Sequence, residues 1–173
     1  MGESYEFDPV EWVSAGAVGR PGRRTFYVQA RVGSQVVAVL VEKEQVRLLA
    51  QHAQELLARA GVTLTPDDLD EPGHRLIEPV TPAWRVGSMR LGMDDSGRRF
   101  LLEAQELLPE EASHQPGTVR LWMSREQLAG LAAYAAFVVE AGARESCRLC
   151  GRPIDPVDGH VCPAMDGHGP LTA

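Results

Sequence analysis

The chain has 173 residues, 44% of them hydrophobic, enough for one core of ordinary domain size and a short appendage. A formal net charge of -7 argues against nucleic acid as the main partner, because that affinity rests on neutralising many phosphates with Lys and Arg. No apolar run approaches the roughly 18 to 20 residues that cross a bilayer, and the start, MGESYEFDPV, lacks a basic and then apolar signal; a cytoplasmic protein with no membrane association is expected.

After a polar start, residues 13–18 read as a first strand, closed by Gly19, Arg20, Pro21 and Gly22, whose Pro and Gly supply the dihedrals of a turn. Residues 24–32 follow, with TFYVQARV at their heart. Their β-branched and aromatic content and near alternation suit a strand with one face buried. Gly33 and Ser34 signal a hairpin, and residues 36–41 pair back as a third antiparallel strand. The period then changes. Val46, Leu49, Ala50, Ala53, Leu56, Leu57 and Ala60 fall at helical spacing, and Gly61 is a stop signal.

Residues 62–82 are rich in Pro and Asp without a sustained period, and are expected as a linker or long loop. The same plan then resumes, with strands over residues 84–93, 98–107 and 119–123 and a helix over residues 128–141, which Ser124 and Gln127 cap. Laid over each other without a gap, residues 37–60 and 119–142 give six identities in 24 positions, where chance gives about one or two. Duplication is the inference; the rival is two helices that merely share an apolar stripe. The expected organisation is a first β-β-β-α repeat over 1–61, the linker over 62–82, a second repeat over 83–142, and a tail over 143–173. The fold class is α+β, with the duplicated unit forming an antiparallel sheet with two helices. Where the first helix carries Arg47, Gln51, Gln54, Glu55 and Arg59, the second has Ala129, Ala133, Ala136, Phe137 and Ala141. A helix apolar on nearly every side is covered on nearly every side, so Tyr134 and Phe137 are expected to lie under the tail or under another protein chain.

The tail holds all three cysteines, in CRLCGRPIDPVDGHVCPAMDGH. Two thiolates two residues apart ligate one ion from a tight turn, and Gly-His-x-Cys-Pro returns an imidazole and a thiolate to it. Cys147, Cys150 and Cys162 are three ligands; the fourth is His160 or else His168. Soft sulfur with one nitrogen suits Zn2+, although iron also accepts thiolates. A closed site that folds a short segment is the simpler reading. A catalytic metal would instead draw its base from Asp155, Asp158, Asp166 or a free His, but the deaminase pattern of His-x-Glu with a later Pro-Cys-x-x-Cys is not met. Arg20, Arg23 and Arg24, with Arg98 and Arg99, sit at two equivalent turns. They either grip a phosphate between the repeats or are merely solvated. Glu103 and Glu106 read as a solvated strand face, His52 and His74 as surface residues, and Trp84 and Trp122 as core. RNA binding through the tail would need interleaved basic and aromatic residues, and only Arg148 and Arg152 answer.

With AGAVGRPGRRTFYVQAR, VLVEKEQV, RVGSMRLG, LLEAQ and the cysteine tail on the page, the chain resembles an uncharacterised actinobacterial family, a domain of unknown function of about this length. The resemblance implies company with proteins similar to histidine phosphatases and to phosphatidylinositol kinases, and a pathway touching phosphorylated small molecules. It also favours His160 as the ligand, the family often having Tyr at the position of His168 and Asn at that of Asp166. The functional expectation is a cytoplasmic interaction or scaffold module with a structural metal, docking a protein through the second helix and tail. The alternative is a metal-dependent or phosphate-handling enzyme. A homo-oligomer is left open.

Overall fold

A computed structural model describes residues 2–141, 147–152, 154 and 159–165. Its strands are β1 (Tyr5–Phe7), β2 (Trp12–Val18), β3 (Thr25–Val32), β4 (Gln35–Val41), β5 (Val86–Met93), β6 (Arg99–Glu106) and β7 (Thr118–Ser124). The helices are α1 (Lys43–Arg59), a single turn α2 (Glu71–His74) and α3 (Arg125–Ala141), with 3-10 turns at Pro66–Asp68 and Pro163–Met165. No helix among the described residues is long and apolar enough to cross a membrane.

The class is α+β, and the strands divide into two sheets. One has the order β2-β3-β4 and is antiparallel throughout. Its inward row, Ala15 opposite Val28 opposite Val39, is buried because side chains alternate across a strand and these positions carry small or β-branched residues. The other sheet has the order β1-β7-β6-β5, with Leu91, Leu102 and Leu121 in register. Its edge strand β1 runs parallel to β7 and buries Phe7. The polar residues around that strand hide it from a period count. Residues 83–85 join the sheets: the Ala83 amide donates to the Ala38 carbonyl at 2.8 Å and the Leu40 amide to the Trp84 carbonyl at 2.9 Å.

Helices α1 and α3 pack on each other, and each also crosses to a strand of the other half, α1 to β5 and α3 to β2. Buried residues from both halves form one core. Each helix begins with the same device. The Glu42 amide donates to the Gln45 side chain at 2.8 Å, and the Ser124 amide to the Gln127 side chain at 2.9 Å. This satisfies a backbone donor at each helix entry. The same two glutamines then donate across to the Val86 and Val10 carbonyls, at 3.4 and 2.9 Å, tying each helix to the other half.

Residues 62–82 form a bound strap, not a free linker. Trp12 Nε1 donates to the Gly73 carbonyl at 2.7 Å, and Ser14 Oγ to that of His74. Buried Gln29 makes a reciprocal pair with the backbone of Ile77, its amide nitrogen donating at 3.1 Å and its oxygen accepting at 2.8 Å. Two glycines admit the strap: a Cβ on Gly16 would lie 2.7 Å from Leu76 Cγ, and one on Gly130 would lie 2.7 Å from the His74 ring. The strap also packs against α3. Tyr134 is 7% exposed, with its ring centroid 5.6 Å from that of His74 and 6.0 Å from that of Phe137, which is half-buried. The strap thus covers the Tyr134 side of the apolar helix. The sequence does not announce this contact, because His74, Leu76 and Ile77 follow no period.

Replacing Gln29 with Leu leaves both backbone groups of Ile77 without their buried partner. Urea denaturation of Gln29→Leu should show a loss of about 1 to 3 kcal/mol, together with faster amide exchange across the strap.

Candidate metal centre

The tail builds its site from two turns. In the first, the Cys147 amide donates to the Arg152 carbonyl and the Gly151 amide to the Cys147 carbonyl, each at 2.8 Å. Gly151 turns the chain at φ 70°, a left-handed conformation that glycine adopts without a Cβ penalty. This closure brings Cys147 and Cys150 to one side of the turn. The second turn starts at Gly159, φ 71°, carries His160 and Cys162, and ends in the Pro163–Met165 turn.

The four donor atoms of Cys147, Cys150, His160 and Cys162 all lie within 4.8 Å of one another. The Sγ atoms of Cys147 and Cys162 are 3.7 Å apart, and Cys150 Sγ is 3.0 Å from His160 Nε2. A metal with bonds to sulfur of about 2.3 Å in a tetrahedron sets its sulfurs about 3.8 Å apart, so the cysteine pair already has the span a metal needs. Cys147 and Cys162 are buried, whereas Leu149 and Val161, next to ligands on the two turns, are each 61% exposed. The donor set therefore fits a metal ion.

Electrostatics separates the two buried thiols. The backbone amides of Cys150 and Leu149 donate to Cys147 and, with the other thiols, lower it to about 6. Hydrogen bonds to the charged form favour that form. Burial raises Cys162. At neutral pH Cys147 is thus a thiolate ready to ligate, and a metal that binds displaces the proton of Cys162. The sequence shows the ligands but not the amide donors, which depend on how the turn closes.

His168, Asp155, Asp158 and Asp166 lie outside the described residues, so His160 is the described fourth donor. The arginines do not converge. Arg24 donates to the Val138 carbonyl at 3.4 Å, near the end of α3, while Arg125 at its start holds the Gly97 turn through a 3.3 Å bond. Helix rise puts these two turns about 20 Å apart. Arg99 pairs with Asp8 and lies over the Trp122 ring at 4.7 Å; the Arg23 amide donates to the Arg20 carbonyl and the Arg98 amide to the Asp94 carboxylate, each closing its own turn. Arg24 and Arg99 are thus engaged at separate places. Trp84 is core as expected, but Trp122 is half-buried beneath Arg99. Glu103 pairs with Arg120 at 3.6 Å, and the Glu106 carboxylate accepts the Gly117 amide at 2.9 Å. His52 is exposed on α1, whereas His74 is half-buried in the strap.

A family model described as "Protein of unknown function (DUF3090)" matches residues 5–162, nearly the whole chain and all four clustered ligands. No curated protein and no solved structure matches the chain. The chain belongs to that family.

Proposed function

We propose that this member of the family is a cytoplasmic interaction module whose tail is ordered by one structural zinc ion, docking a protein partner through the zinc-bound turns. The observation that supports it is the convergence of three thiols and one imidazole on a tetrahedron-sized space. Three sulfurs and a nitrogen complete the four-coordinate set of a closed zinc site, with no position left for a reacting water. Bound zinc would supply the cross-link that folds a segment too short to bury a core of its own.

Leu149 and Val161 give the ordered tail something to present. Two exposed apolar side chains at the turn tips, flanked by the exposed Arg148 and Arg152, suit contact with another protein better than solvent alone. This reading gives docking to the tail rather than to Tyr134 of α3, which the strap covers. The resemblance drawn from the sequence makes proteins similar to histidine phosphatases and to phosphatidylinositol kinases the partners to try. A phosphate-handling enzyme has less support, because the arginines it would use are dispersed. The body that carries the tail is read as a duplicated β-β-β-α unit, a reading supported by the matching glutamine devices of α1 and α3.

X-ray absorption at the zinc edge, with metal content determined on the same sample, should fit three sulfurs and one nitrogen at one equivalent per chain. A fit that needs a light oxygen in place of the nitrogen would reject the closed site and return catalysis to consideration.

Metal removal should act locally. Chelation of the wild type, or Cys162→Ser, is expected to speed amide exchange and proteolysis across residues 147–165 while the thermal midpoint of the β-α body stays within a few degrees, since the core is built without the tail. A collapse of the whole body on chelation would contradict this division.

A further inference from the structure

Strand register sets four charges in one row across the outer face of the four-stranded sheet. Glu6 of β1 lies opposite Arg120 of β7, Arg120 opposite Glu103 of β6, and Glu103 opposite Arg90 of β5. Each is next in its strand to a residue of the core, Phe7, Leu121, Leu102 or Leu91. Successive side chains of a strand point to opposite faces, so the row faces away from the core. Its two ends, Glu6 and Arg90, are exposed and enter no ion pair among the described residues. The inner pair is imperfect: Arg120 Nε and Glu103 Oε2 stand 3.6 Å apart, too far for a hydrogen bond, and that Nε has no other partner. Two residues along the strands on the same face, Trp122 lies opposite Leu101, both half-buried.

We propose that this outer face is a self-pairing surface, on which a second copy of the chain docks sheet to sheet. The order of charges across the strands β1-β7-β6-β5 is negative, positive, negative, positive, and that order is its own complement once reversed. A two-fold axis lying between the two sheets, along the strands, makes this reversal, because it exchanges the two sides of the sheet and keeps each row at its own height. Glu6 then meets Arg90 of the second copy, Arg120 meets Glu103 of the second copy, and each contact occurs twice. Trp122 meets Leu101 of the second copy in the same operation, giving the charged row an apolar neighbour. An axis across the strands would set every charge on its own like. Packed sheets whose strands cross at about 30° are compatible with the first axis, each sheet tilting by half that angle. A different protein would need the complementary order independently; a second copy carries it by construction. Alternation of sign also disfavours a polyanion, which a row of one sign would attract.

The test is sedimentation equilibrium of the full-length zinc-loaded protein. It should show a reversible monomer–dimer system that shifts toward monomer as NaCl rises from about 0.05 to about 1 M, where the screening length falls to about 3 Å. Glu6→Arg and Arg90→Glu should each weaken the dimer by about tenfold or more, since like charges then meet at two symmetric places. Mixing the two variants should restore association as a mixed dimer, because every reversed charge then faces its opposite. Dilution of the wild type should move the amide resonances of Leu101 and Trp122. Cys162→Ser should leave the dimer intact, so this surface and docking by the tail can fail separately. A chain that stays monomeric at low salt would overturn the proposal. So would a dimer that both single variants keep, or a mixture that associates no better than its components. Loss of the dimer on Cys162→Ser would give self-association to the tail and overturn this face. Glu6 and Arg90 are exposed, so both variants are expected to fold; should one not, the resonance shifts on dilution decide.

Discussion

Helices α1 and α3 lie against each other, α1 reaching over to β5 and α3 to β2. Much else in the body follows from that crossing. A unit of three strands and one helix buries too little apolar surface to be stable alone, and here α3 packs on β2 as well as on β6 and β7. The two glutamines at the helix entries reinforce the arrangement, because each satisfies its own helix start and then bonds to the backbone of the other half. The halves are therefore one cooperative body with one core.

The strap sets α3 apart from α1. It needs glycine at two places, Gly16 under Leu76 and Gly130 under His74, and it uses the buried polar pair of Gln29 with Ile77 to hold its end. A buried side-chain amide is costly unless its donor and acceptor are both met, and the strap backbone meets both. The apolar character of α3 is a consequence. It is covered by α1, by β2 and by the strap, whereas α1 keeps Arg47, Gln51 and His52 in solvent and an open groove at β5.

The tail is stabilised by different physics. Among its described residues only Cys147 and Cys162 are buried, and these sit where local turns bring four donor atoms together. Its two most exposed apolar side chains stand next to those donors.

Sequence alone determined the features that depend on neighbours in the chain. Periods of two and 3.6 located six of the seven described strands and both long helices, the Ser124 and Gln127 spacing located a helix start, and the spacing of Cys147, Cys150 and Cys162, with His160 or His168 as the fourth donor, located the candidate metal site. Each is a local rule, readable because side chains a few residues apart must share a face, a cap or an ion. What only the tertiary structure decided are pairings between distant segments: β1 beside β7, the split into two sheets, the exchange of helices, and the strap over α3. These gave no periodic signal, since β1 is only three residues laddered to β7, and the strap is held by side chains and glycine gaps supplied from elsewhere. The same reason dispersed the arginine turns to opposite ends of α3. Likeness of sequence between two turns says nothing of their distance, which the packing around α3 sets.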